Sequence, residues 1–137
     1  MSELEKSHKG SKFTIVHCEG AIESFNNALR SVESRKQLKF RNAMIMQLTR
    51  LADSQRMSRE NFPPEGELPK RAGQSRAKKF NALKRIPLRG YCWLSEKHPN
   101  TYFVSHYVHK DYDKLKEQDS KKVRSNWKRI EEDGYER

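Results

Sequence analysis

Between Thr101 and Leu115 the chain concentrates groups that move protons, His106, Tyr107, His109 and Tyr112, beside groups that hold phosphate, Lys110 and Lys114. Imidazole and phenol act as general acids or bases, and cations offset the charge that builds up on phosphoryl oxygens. Cleaving RNA without a metal needs those parts: a base for the 2′-hydroxyl, an acid for the leaving 5′-oxygen, and cations around the crowded phosphate. Lys84, Arg85 and Arg89 supply further charge upstream, arginine being the better bidentate partner for phosphate. The same residue types also pack as ordinary members of half-buried strands, so the set defines a capacity and leaves a structural role open.

A strand must present these groups. Alternation places Tyr102, Val104, His106, Val108 and Lys110 on one face and Phe103, Ser105, Tyr107 and His109 on the other. The valines favour the first face for the core, which predicts exposure of Ser105, Tyr107 and His109. His109 is the preferred acid/base and His106 its rival.

The surroundings are strongly basic, with 29 Lys and Arg against 18 Asp and Glu and a formal charge of +11 on 137 residues. Such a charge selects a polyanionic partner without selecting a chemistry. Further cations recur at helical spacing. Arg35, Lys36, Lys39, Arg41 and Arg50 form one group, and Lys121, Lys122, Arg124, Lys128 and Arg129 another; each reads as a phosphate-tracking stripe or as a solvated face. Trp93 and Trp127 are expected in the core, and His17 and Cys18 to be structural.

The length suits one domain with a modest core. The two cysteines, Cys18 and Cys92, have no spacing that builds a zinc site or a disulfide framework, so a reduced, cytoplasmic protein without metal or other cofactor is expected. Residues 1–10 lack the apolar centre of a signal peptide, and no run approaches the roughly 18 apolar residues of a membrane span.

Apolar and β-branched residues predict a strand over 12–18, ending at Gly20. Ala21, Ile22, Phe25, Ala28, Leu29 and Val32 then mark one face of an amphipathic helix. A second helix is expected over about 35–55, with Leu38, Ile45, Leu48, Leu51 and Ala52 inward, and Glu33 and Ser34 as the break that makes a hairpin. A Pro- and Gly-rich loop follows over 61–76. Strands over 80–86, 90–95 and 102–110 suggest a meander, and Val123, Trp127 and Ile130 a short last helix over 117–132. The expected class is α+β in the order β-α-α-β-β-β-α: a small, largely antiparallel sheet on a helical hairpin, with residues 1–11 and 133–137 as tails and 12–132 as one domain.

This order, together with the strand Phe80–Ile86, the strand Leu88–Trp93, the segment His106–Lys110 and the basic run Lys121–Arg124, resembles the RelE/HigB-type toxin superfamily, also called Gp49-like or phage-derived toxins. The resemblance spans most of residues 12–132. It implies a RelE-like fold and a toxin of a type II toxin–antitoxin system, a metal-independent endoribonuclease acting on messenger RNA on the ribosome and neutralised by a small antitoxin protein. By similarity Arg89 binds phosphate, His106 or His109 is the acid/base, Lys110 stabilises charge, and Tyr135 is a C-terminal aromatic; Tyr112 is a catalytic candidate by its residue type. Lys84, Arg85, Lys114, Lys121, Lys122 and Arg124 would contact nucleic acid. Asp111 stands where the family carries a second lysine, and Cys92 and Trp93 where another cation is expected. Two other readings stay open, a non-catalytic basic module binding RNA, DNA or the ribosome, and a gyrase-inhibiting toxin of the same fold.

Overall fold

The computed structural model describes residues 4–110 and 116–134. It is α+β, with three helices and a six-stranded mixed sheet of order β1-β2-β6-β5-β4-β3. The strands are β1 (Ser7–Lys9), β2 (Thr14–His17), β3 (Pro64–Glu67), β4 (Lys79–Arg85), β5 (Leu88–Leu94) and β6 (Thr101–His109). The helices are α1 (Ala21–Arg30), α2 (Gln37–Ala52) and α3 (Glu117–Trp127), the last continuing in a wider π-type turn over Lys128–Glu132. Every pairing is antiparallel except β2 with β6, where Thr14 to His17 run parallel to Thr101 to Val104. No helix among the described residues is long and apolar enough to cross a membrane.

Two strands lie where none was expected. Ser7–Lys9 falls in the segment read as a flexible tail, yet it pairs with β2, and Leu4 before it is buried. Pro64–Glu67 falls inside the segment read as a loop and pairs with β4 through an irregular register. Both are edge strands of three or four residues, too short to carry a hydrophobic alternation.

The helical pair is confirmed as two helices: α1 stops at Arg30, and a tight turn over Ser34–Lys36 precedes α2. Gly20, with φ of 86°, breaks the chain out of β2, and Ala21, Phe25, Ala28 and Leu29 of α1 are buried as expected. In α2 the buried set is Met44, Gln47, Leu48, Leu51 and Ala52, whereas Leu38 is 55% exposed, which corrects its expected inward position. Gln47 reaches the sheet, its Nε2 donating to the Lys84 carbonyl at 2.9 Å.

Both faces of the sheet are covered. Ile15, Leu83, Leu88, Cys92, Val104 and Tyr107 pack with α1 and α2, and Val16, Phe80, Ala82, Tyr91, Trp93 and Phe103 pack with Val123, Trp127 and Ile130 of the C-terminal helical segment. Each tryptophan is therefore core, as anticipated. The register of β6 against β5 shifts after Val104, because Cys92 pairs with Val104 and Tyr91 with His106, leaving Ser105 as an extra residue. That bulge splits the predicted face of β6. Val104 lies against α1 and α2, while His106, two positions further on, meets Asp119 of α3.

Candidate functional site

At the far end of β6 a cleft of about 350 Å³ opens between α1 and the start of α3, lined by Ser24, Asn27, Val108, His109, Lys110, Lys116 and Asp119, among others. Local chemistry explains its position. Beyond Val104, β6 has no further β2 partner, so the Tyr107 amide turns to α1 and donates to Ser24 Oγ at 2.9 Å. The Lys110 amide closes the strand end on the Pro87 carbonyl at 2.7 Å. His109 is exposed at the cleft, the position favoured for the acid/base.

The other two residues expected on its face are not exposed. Ser105 is 1% and Tyr107 2% accessible, because α1 covers one face of the sheet and α3 the other. Tyr107 is further fixed by His17. The His17 Nδ1 proton points to the Glu5 carbonyl at 2.7 Å, so Nε2 accepts the Tyr107 hydroxyl proton, also at 2.7 Å. Burial pushes the His17 imidazole down to about 4 and the Tyr107 phenol well above its ordinary range, so both stay neutral. His17 and Cys18 are structural, as expected.

His106 is buried and acts through others. Its Nε2 lies 3.1 Å from Asp119 Oδ1, and its Nδ1 lies 2.8 Å from Ser105 Oγ, which also accepts from Asn126 Nδ2 at 2.8 Å. Burial alone would raise the Asp119 carboxyl; the His106 hydrogen bond and the charges of His106, Lys110 and Lys116 outweigh it and hold the group below its usual value. An ionised Asp119 accepts the hydrogen bond from Nε2, and Ser105 Oγ lies against Nδ1. The order serine, histidine, aspartate has the residue types of a nucleophile triad, but its hydroxyl is sealed from solvent and already bonded on both sides. It fastens α3 to β6.

Lys110 belongs to the same cluster. Its ammonium sits 3.8 Å from Asp119 Oδ2 and 5.7 Å from the centre of the Tyr91 ring, and the residue is buried. Arg89 is fully buried within β5, between Lys84 and Val108 in register. Neither residue therefore presents an exposed cation. Lys84, 14% exposed, approaches Glu65 at 3.8 Å. Arg85 lies across the sheet, its guanidinium 5.4 Å over the Phe40 ring, and lines a separate cleft with Lys39 and Arg50 of α2. Lys121 and Lys122 are exposed on α3 and Arg124 is half-buried, donating to the Glu67 carbonyl at 3.0 Å. Tyr112, Lys114 and Tyr135 lie outside the described residues.

Sequence reasoning missed two carboxylates of the C-terminal helix. Asp119 is one. Glu131 is the other: it accepts from Trp93 Nε1 at 3.0 Å, Ser95 Oγ at 2.5 Å and the amides of Glu96 and Lys97 at 3.1 and 3.0 Å. Burial pushes this carboxyl up, and those four donors override it and hold it low. The signal lay in spacing, since Asp119, Val123, Trp127 and Glu131 recur every fourth residue on the buried stripe. Among the described residues no three His, Cys, Asp or Glu side chains cluster to hold a metal ion.

The fold and site define an α+β protein with a basic cleft at the end of its longest strand. No family model, no curated protein and no solved structure matches the chain.

Proposed function

We propose that this chain is a toxin of the RelE/HigB type that cleaves messenger RNA on the ribosome and is held in check by a small antitoxin protein. The six-stranded sheet, with α1 and α2 on one face and α3 on the other, is read as a RelE-like arrangement. The observation that carries the reading is the exposed His109 at a cleft that it shares with Lys110 and Lys116, in a chain of charge +11.

In this mechanism a phosphodiester enters the cleft and His109 accepts the proton of the 2′-hydroxyl. The 2′-oxygen bonds to phosphorus, and the 5′-oxygen departs and takes a proton from water. The products are a 2′,3′-cyclic phosphate and a 5′-hydroxyl end. Lys116 sets a positive potential at the phosphate. His106 and Asp119 are positioning residues that hold Lys110 and the start of α3.

The test is cleavage of messenger RNA by purified protein, with and without ribosomes, followed by mapping of the new ends. His109→Ala is expected to slow cleavage about 10²- to 10⁴-fold, the usual contribution of a general acid or base, while RNA binding persists. Equal cleavage by wild type and variant would remove His109 from the mechanism. A second reading, a basic binding module without catalysis, draws on the burial of His106, Arg89 and Lys110. It requires that wild type leave RNA uncut under every condition while still binding it in a salt-dependent manner.

A further inference from the structure

A second basic recess borders α3 further along its length. It measures about 710 Å³ and is walled by Lys70 and Arg76 from the segment joining β3 to β4 and Lys79 at the start of β4, with Arg124 from α3 and Glu67 as its acidic member. Lys70, Arg76 and Lys79 are exposed, and none of the three has an ion-pair partner among the described residues. The neighbouring cations behave differently: Lys78 is paired with Glu96, and Arg71 lies 3.4 Å from Glu96 and 5.2 Å over Trp127. Those two anchor the segment, and the other three are left to face solvent. Arg124 is held in the wall by the Glu67 carbonyl at 3.0 Å and Glu117 at 3.8 Å.

α3 contributes to both recesses. Lys116, Gln118 and Asp119 line the His109 cleft, and Arg124 lines the second one. Lys121 and Lys122 are exposed on the turn between. Lys116 and Arg124 are separated by about 12 Å along the helix axis, from a rise of about 1.5 Å per residue. That distance matches roughly three to four phosphates of a strand at the duplex rise of about 3.4 Å each, and fewer of an extended single strand.

We propose that the recess of Lys70, Arg76, Lys79 and Arg124 is an exosite for single-stranded RNA, and that one strand crosses α3 from the His109 cleft to reach it. The inference rests on the functional reading above and extends it: the substrate is recognised over several nucleotides, and the sequence-independent share of its affinity lies away from the scissile bond. Cations tracking a backbone without base-edge contacts position a strand and add affinity without specificity.

The test uses the full chain and a triple variant, Lys70→Ala with Arg76→Ala and Lys79→Ala, all at exposed positions, with a thermal melt as the check on folding. Binding is measured with RNA protected from cleavage by 2′-O-methyl groups, as a trinucleotide and as a strand of about a dozen nucleotides. The longer strand is expected to bind about tenfold more weakly to the variant, and the slope of log affinity against log salt to flatten by about two, at about 0.7 per lost phosphate contact. The trinucleotide is expected to bind both proteins alike. Equal losses for both lengths, no loss for either, or a loss seen only with anionic phosphatidylserine vesicles would each overturn the exosite. Because the readout is binding, a wild type that never cleaves RNA refutes the nuclease and leaves a length-dependent exosite standing; cleavage that depends on His109 with no length effect does the reverse.

Discussion

At the scale of single residues, proton placement separates structure from chemistry. The chain has five histidines. Of the two nearest the cleft, His106 is locked between Ser105 and Asp119, and His109 is open to solvent. His17 is a third kind, a neutral imidazole walled in by the Glu5 carbonyl and the Tyr107 hydroxyl. Its imidazole is depressed from 6.5 to about 4, so the unfolded chain binds a proton that the folded chain refuses throughout that window. Stability from this group is complete above about pH 6.5 and is lost as pH falls towards 4, amounting to about 3 kcal/mol at most. Asp119 and Glu131, held low, add their losses at lower pH still. Thermal melts between about pH 7 and about pH 5 should therefore show a falling midpoint, and His17→Gln should flatten that slope. A variant with the slope of the wild type would show that the proton is taken up elsewhere.

At the scale of elements, the bulge at Ser105 and the glycine opposite Tyr107 determine what β6 presents. Gly90 pairs with Tyr107, and a Cβ at Gly90 would lie 2.5 Å from Tyr107 Cε1. Only glycine lets the phenol lie flat over β5 and reach His17. Gly90→Ala is expected to cost about 1–3 kcal/mol, the usual penalty for overfilling a packed core, measured as a lower urea midpoint. An unchanged midpoint would mean that the ring has room to move. These two features also explain how far the sequence could be read. Ala21, Phe25, Ala28 and Leu29 announced α1 through their period, and four strands and α3 with its π-type turn were expected within a residue or two of where they stand. Period-two counting failed across Ser105, since a single extra residue transfers later side chains to the opposite face. Ser7–Lys9 and Pro64–Glu67 were illegible because backbone pairing alone makes them strands. Within the site, the placement of His109 was legible from its neighbours. The pairing of His106 and Lys110 with Asp119 was not, as it depends on a carboxylate arriving from another element.

At the scale of the whole molecule, the sheet is a closed layer between two apolar cores, and its reactive sulfur is shut inside. Cys18 is pushed up to about 12 by burial and Cys92 is raised further by the same cause. Neither thiol is expected to react with iodoacetamide in the native state, and both should do so once denaturant opens the cores, as counted by mass spectrometry. Rapid labelling of either cysteine in the native protein would contradict the packing described here. The parallel pairing of β2 with β6 has a consequence for synthesis. Residues 14–17 and 101–104 meet in the middle of the sheet, so the first hairpin waits through most of translation for the strand that completes it. A nascent chain stopped short of β6 holds β1 and β2 on one side and β3, β4 and β5 on the other, with no strand between them in the sheet. The His109 cleft comes into being only once β6 and the start of α3 have both been made, so a chain stopped short of β6 does not bear it.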